Sequence, residues 1–201
     1  LRLSFTNRGN VMKFTIEEYI NQHAIAFKAM DIAAIRQAIN LVFCAIEANK
    51  KIITCGNGGS ASTASHYITD WSKMYNLATG KKLRGVSLTD NVGLITAYGN
   101  DLSFDEVFCG QVKALMDEGD LLIAVSGSGN SPNIIKAIEA AKDIGGKTLG
   151  VLGYDGGKAL PLCDEVYHCP SWDMQICEDI HLSFGHLVMK EICKDDINSL
   201  V

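Results

Sequence analysis

The feature that most constrains the fold is an alternation of short apolar runs with helical segments. The runs are rich in β-branched residues and read KIITC, RGVSL, LLIAV, TLGVL and VYHC. They recur about every 30 residues, the length that a right-handed crossover through a helix requires. Helical periodicity occurs between them, near 60–76, 104–116 and 131–144. This alternation predicts βαβ units around a parallel sheet covered by helices, an α/β three-layer sandwich.

Amphipathic helices are predicted at both ends of the alternating region. Apolar residues recur at helical spacing through TIEEYINQHAIAFKAM and then through DIAAIRQAINLVFCAIEANK, where Asp31 is a candidate N-cap. The closing stretch MQICEDIHLSFGHLVMKEIC has the 3.6-residue period of a helix rather than the alternation of a strand. We therefore expect a helical pair before the sheet and one long helix after it.

Size, charge and cysteine spacing restrict the class of protein. With 201 residues, 47% of them hydrophobic, the chain can bury a real core. We expect one domain over 12–201, preceded by an added or extra N-terminal segment over 1–11. The net charge of −5 argues against nucleic acid and against an anionic membrane surface as partners. The seven cysteines contain no C-x-x-C pair, and no apolar run reaches the ~18 residues of a membrane span. These features indicate a cytoplasmic protein with a small-molecule or protein partner.

Two glycine- and serine-rich loops follow predicted strands, CGNGGSAS after the first and VSGSGNSPN after the third. Parallel sheets bind ligands beyond the carboxyl ends of their strands. Glycines, serine hydroxyls and a helix N-terminus together favour a phosphate group there. Neither loop has the P-loop lysine or the dinucleotide-binding pattern, so a phosphorylated metabolite fits better than a nucleotide. The structural alternative is that these residues only form turns and caps. The candidate phosphate-binding residues are Ser60, Ser126, Ser128 and Ser131.

Titratable side chains cluster on two predicted helices. His66 and Asp70 are four residues apart, so they share a helix face and can bind a metal ion, exchange a proton or simply form a structural pair. On the last helix, Glu178 and His186 lie about 80° apart around the axis and can converge on one point. Spacing does not choose between these two and their neighbours Asp179 and His181. At the end of the second strand, Asp90 can bind a sugar hydroxyl or cap the next helix.

Taken in order, GNGGSAS with its following His and Asp, SGSGNSPN and the closing E-x-x-H-x-x-x-x-H resemble the sugar isomerase (SIS) domain superfamily. Within it, the chain is similar to the phosphoheptose isomerases over about residues 13–193. The resemblance implies a flavodoxin-like fold with a five-stranded parallel sheet and a homotetramer with active sites between subunits. It also implies conversion of D-sedoheptulose 7-phosphate to D-glycero-D-manno-heptose 7-phosphate through an enediolate.

The resemblance also implies the functional residues. Zinc, one ion per subunit, would be bound by His66, Asp70, Glu178 and His186, although phosphoheptose isomerases usually have Glu and Gln at positions 70 and 178. Asp70 and His186 are the candidate acid/base residues, because isomerisation moves a proton between neighbouring carbons. The candidate substrate-binding residues are Asn57, Gly58, Ser60, Asp90, Ser126, Gly127, Ser128, Ser131 and Glu178.

Two other functions stay open on the sequence alone. The departures at positions 70 and 178 are compatible with a non-catalytic SIS module that binds a sugar phosphate as a regulator or scaffold. A shallow polar pocket is equally compatible with an isomerase of another sugar phosphate. Ligand binding without turnover distinguishes the first from an enzyme, and substrates of different chain length distinguish the second.

Overall fold

The computed structural model describes residues 15–193, so the segment expected at 1–11 lies outside the described residues. Its centre is a five-stranded, fully parallel sheet with the strand order β2-β1-β3-β4-β5. The strands are β1 (Ile52–Gly56), β2 (Gly85–Ser87), β3 (Leu121–Ser126), β4 (Lys147–Leu152) and β5 (Glu165–His168). All five coincide with the predicted apolar runs, which confirms the α/β prediction.

Helices cover both faces of the sheet and enclose two separate apolar cores. One core lies between the sheet and α1, α2, α3 and α7, and it contains the stacked rings of Tyr67 and Trp71. The other lies under α5 and α6. The helices are α1 (Ile16–Lys28), α2 (Ile32–Glu47), α3 (Gly59–Thr79), α4 (Val92–Asp101), α5 (Cys109–Leu115), α6 (Pro132–Asp143) and α7 (Met174–Cys193).

The helices agree with the sequence prediction in most places and differ from it in two. Asp31 caps α2, since its carboxylate accepts from Ala33 N at 2.8 Å. The segment predicted as one helix over 104–116 is a 3₁₀ turn, Phe104–Glu106, followed by the short α5. The helix α4 was expected after Asp90 but without bounds, because none of its residues is buried and its apolar period is therefore weak.

Helices α3 and α7 run side by side in the same direction, and this pairing positions the site. Tyr67 OH donates to His181 O, and one turn further on Trp71 Nε1 donates to Gly185 O at 2.9 Å. Gly185 is required at the contact, because a Cβ there would lie 2.6 Å from the Tyr67 ring. Residues about 114–120 positions apart in sequence are therefore brought to the same level of the two helices.

Among the described helices, none alone has the length and apolarity to cross a membrane. Helices α1 and α2 would meet that criterion only as a pair bent by 75°.

Candidate active site

A pocket of about 300 Å³ opens at the carboxyl ends of β1 and β3. These two strands are neighbours in the sheet, but their outgoing chains lead to opposite sides, which is where open α/β sheets form ligand crevices. The pocket brings together all the predicted substrate-binding residues except Asp90. It is lined by Asn57, Gly58, Gly59, Ser60, Val125, Ser126, Gly127, Ser128, Ser131, Met174 and Glu178.

Two glycines keep side chains away from the N-terminus of α3. Gly58 is the N-cap residue and has φ 55° and ψ −123°, a conformation that residues with a Cβ rarely adopt. A Cβ on Gly59 would lie 2.4 Å from Glu178 Oε1. No side chain caps α3, so its first N–H groups face the pocket and can bind an anion.

Two of the four candidate serines also stabilise the loop after β3 through their hydroxyls, and the other two do not. Ser126 Oγ accepts from Gly129 N at 3.1 Å and Ser128 Oγ accepts from Asn130 N at 3.2 Å, so both also form the turn, as the structural alternative expects. Ser131 is the N-cap residue of α6 but makes no capping hydrogen bond. Ser60 lies buried at the base of the pocket. Every one of these hydroxyls retains a proton to donate to a phosphate oxygen.

The side-chain amide of Asn57, in the loop after β1, is hydrogen-bonded to the segment that follows β3. Its Nδ2 donates to Asn133 Oδ1 at 2.9 Å, and Asn133 Nδ2 donates back to Asn57 Oδ1 at 2.9 Å. Asn133 is itself almost fully buried in the first turn of α6. The reciprocal pair holds the loop after β1 against the loop after β3, which fixes the width of the pocket.

Further along α3, His66 and Asp70 lie beside His186 of α7. We call these three side chains the His–Asp–His group. The Nε2 atoms of His66 and His186 lie 3.3 Å apart, and His66 Nε2 lies 3.1 Å from Asp70 Oδ2. Each residue offers one ligand atom, and these atoms all lie within 4.8 Å of one another. Four tetrahedral ligand atoms about 2.0–2.1 Å from zinc are separated by about 3.3 Å. The donor types fit zinc, and so do the two separations that involve His66.

The other three candidate side chains of α7 have different positions. The carboxylate of Glu178 lies against Gly59 in the pocket between β1 and β3, and it is not among the three described residues whose ligand atoms cluster. Asp179 accepts from Tyr19 OH at 2.5 Å, which raises the pKa of the tyrosine to about 12. His181 is fully buried, and burial lowers its pKa to about 4. The structure thus distinguishes His186 from these three residues, which sequence spacing alone did not.

Asp90 lies in a second, open pocket on the other side of His66. It does not cap the following helix, because Asn91 does so by accepting from Leu94 N at 3.1 Å. Its carboxylate accepts a long hydrogen bond from Thr89 Oγ1 at 3.4 Å through Oδ1, and its other oxygen can bind a ligand in this pocket. The second pocket is lined by Ala61, Ser62, Ser65, His66, Thr69, Thr89 and Asp90.

Sequence reasoning missed Cys177, which lies directly behind the first pocket. A Cβ on Gly153 would lie 2.7 Å from Cys177 Sγ and 2.7 Å from Gly127 O, so the thiol supports the loop after β3. A hydrogen bond from Cys169 lowers the pKa of Cys177 below its usual value. The two cysteines are eight residues apart, at the end of β5 and the start of α7, so no short cysteine motif could reveal their contact.

Comparison with known proteins gives a family and close relatives. The sequence profile of the SIS domain family matches residues 17–153. A phosphoheptose isomerase from Helicobacter pylori (strain P12) is 42% identical over 154 residues, which are 77% of this chain and 80% of that protein. A phosphoheptose isomerase from Aliarcobacter butzleri is 44% identical over 142 residues, 71% of this chain and 75% of that protein.

Solved structures agree with the sequence relatives. A phosphoheptose isomerase from Neisseria gonorrhoeae is similar with a TM-score of 0.78 and 32% identity, covering 89% of this chain and 98% of that one. Another from Francisella tularensis has a TM-score of 0.79 and 30% identity, covering 90% and 100% of the two chains. These similarities cover 89–90% of this chain, more than the residues 17–153 that match the profile.

Proposed function

Because the chain belongs to the SIS domain family and, within it, to the phosphoheptose isomerases, we propose that its α3/α7 site performs their reaction in the cytoplasm. The protein is an aldose–ketose isomerase, and its substrate is D-sedoheptulose 7-phosphate, which it converts to D-glycero-D-manno-heptose 7-phosphate. One observation carries the assignment to this site. The pocket proposed to bind the phosphate and the side chains proposed to transfer the proton both lie along α3.

The pocket between β1 and β3 holds the phosphate, the unreactive end of the sugar. Its N–H groups at the start of α3 and the hydroxyls of Ser60 and Ser131 supply donors without a fixed positive side chain. Fixing that end makes the encounter of the reactive carbons with the His–Asp–His group intramolecular, which lowers the entropic part of the barrier.

The His–Asp–His group transfers the proton. Isomerisation removes a proton from C1 of the ketose to give an enediolate and returns a proton to C2. The Asp70 carboxylate has two oxygens, and only Oδ2 is bound to His66, so the other oxygen can act as the base. His186 Nε2 faces the same space and can donate a proton to the developing oxyanion.

A metal ion would be held by the same group. His66, Asp70 and His186 supply two nitrogens and one oxygen that lie within 4.8 Å of one another, and zinc bound there would polarise the carbonyl and the neighbouring hydroxyl of the sugar. Glu178 is the fourth ligand that the family resemblance implies, and its carboxylate lies at the level of Gly59 on the same side of α3. The metal content of the purified protein would show whether His186 serves as a metal ligand or as a proton donor.

We also propose a homotetramer, since α1 exposes an apolar surface. Ile16, Ile20 and Ile25 are each about 60% exposed, as is Ile32 at the start of α2. Ile16 and Ile20, four residues apart, share one face of α1, and exposed apolar side chains grouped in this way are typical of interaction sites. Light scattering on the purified protein tests the proposal. Four times the chain mass of 21.8 kDa is the expected result, and the mass of a single chain would contradict it.

Turnover of a set of ketose phosphates tests the function. Metal-replete protein should convert the seven-carbon substrate to an aldose phosphate with a kcat of the usual enzymatic order, about 1–10³ s⁻¹. Protein that binds the sugar phosphate in a thermal-shift titration but turns none of it over would instead be a regulator or scaffold. Preferential turnover of a five- or six-carbon phosphate would reassign the substrate while leaving the isomerase activity intact.

A further inference from the structure

The carboxylate of Glu178 lies at the start of α3, where the phosphate of a ligand is proposed to bind. Glu178 belongs to α7 and lines the pocket between β1 and β3. Both of its carboxylate oxygens would lie within 2.7 Å of a Cβ at Gly59, the first residue of α3. The N–H groups of Gly59 and Ser60 donate to no carbonyl or side chain within residues 15–193. Because unpaired N–H groups at a helix N-terminus attract negative charge, the carboxylate takes the position of an anion there.

Glu178 is also the only charged residue among those described around this pocket. The other lining residues are glycines, serines, Asn57, Val125 and Met174. Within residues 15–193, the Glu178 carboxylate forms no ion pair and accepts no hydrogen bond. The pocket therefore offers an incoming phosphate N–H and O–H donors, but it places a like charge beside them that no cation neutralises.

Repulsion between this carboxylate and a phosphate is strong enough to control binding. Two like charges about 4 Å apart near a protein surface change an equilibrium constant by about a thousandfold. The side chain of Glu178 can rotate about its single bonds and withdraw, which avoids part of that repulsion. It then loses its favourable position at the start of α3. In both cases the protein's own carboxylate opposes the entry of an anion.

We propose that the Glu178 carboxylate and the phosphate group of a ligand compete for the start of α3, so that free inorganic phosphate binds weakly and occupancy of the pocket depends on the rest of the ligand. The inference rests on the proposed function and adds a form of regulation to the same site. Inorganic phosphate has only its contacts in the pocket to offset the displacement of Glu178. A sugar phosphate makes further contacts along α3, and their binding free energy can offset it.

Calorimetric titration of inorganic phosphate into the full-length protein tests the proposal with wild type, Glu178→Gln and Glu191→Gln. Glu178→Gln keeps the shape of the side chain and removes its charge, so it should bind phosphate at least about tenfold more tightly than wild type. Glu191→Gln is the matched control, because it removes the same charge near the other end of α7, outside the pocket. It should bind phosphate with wild-type affinity.

Adding Ser131→Ala to Glu178→Gln locates the bound phosphate, because Ser131 lines the pocket and does not belong to the His–Asp–His group. The double variant should bind phosphate about 5–10-fold more weakly than Glu178→Gln, the worth of one neutral hydrogen bond. Unchanged affinity would show that the phosphate binds elsewhere and would overturn the proposal.

Equal phosphate affinity in wild type and Glu178→Gln would also overturn the competition between Glu178 and phosphate, although the isomerase function would stand. An equal gain in affinity for Glu191→Gln would do the same, because the effect would then come from net charge and not from the position of Glu178. The titration requires no turnover. Wild-type protein that isomerises no ketose phosphate would therefore contradict the proposed function separately from this competition.

Discussion

We expect His186→Ala to lose its bound metal ion and to lower kcat by about 10²–10⁴-fold, the range found when a proton-transfer group is removed. His186 is the only contribution of α7 to the three clustered ligand atoms, and its Nε2 lies 3.3 Å from that of His66. Removing it leaves only His66 and Asp70 of the clustered ligands, because Glu178 lies beside Gly59, and two clustered ligands are too few to retain zinc during dialysis. Elemental analysis and turnover of sedoheptulose 7-phosphate, measured on the same samples, check both effects.

His23→Ala is the control for this experiment, because His23 lies on α1 and stacks on Phe27, apart from the His–Asp–His group. It should keep about one zinc per subunit and wild-type kcat. Two results would contradict the assignment: a His186→Ala variant that keeps its zinc, or a wild type that is fully active without any metal. In the second case His186 would remain as a proton donor only.

The second large effect is expected for Asp70→Asn, which should lower kcat by about 10²–10⁴-fold and leave KM within a few-fold of wild type. The amide has nearly the shape of the carboxylate but cannot accept the C1 proton. The phosphate pocket is built by other residues, so substrate binding should persist. Steady-state kinetics separate the two parameters.

Asp70→Glu is the matched variant, since it keeps the carboxylate and lengthens the side chain by one methylene to the residue usual in phosphoheptose isomerases. It should retain more than about one tenth of the wild-type kcat, because the basic group survives the substitution. An Asp70→Asn enzyme as active as Asp70→Glu would show that Asp70 is not the base. His186 would then take that role.

The pocket between β1 and β3 was predictable because its sequence signals are local. Glycines and serines directly after β1 and β3 belong to short continuous segments, and the parallel sheet brings the ends of neighbouring strands together. The pair of His66 and Asp70 was predictable for the same reason, since one helical turn separates them. These parts of the site need only secondary structure and strand order.

The parts that depend on helix pairing could not be predicted from the sequence. Nothing in the local sequence indicates that His186 reaches His66 while Glu178 stays beside Gly59, because that depends on α3 and α7 lying parallel in one register. The same register buries His181, which spacing had left as a candidate. Likewise, only the structure shows that Asn91, and not Asp90, caps α4.

The central claim, that the α3/α7 site isomerises a seven-carbon ketose phosphate, is tested most directly by carbon-13 NMR of sedoheptulose 7-phosphate labelled at C2. Metal-replete wild type should move the signal from the ketose carbonyl and hemiketal carbon to a secondary alcohol carbon, and Asp70→Asn should leave it in place over the same time. A labelled signal that stays unchanged with the wild type would contradict the account, as would equal conversion by Asp70→Asn.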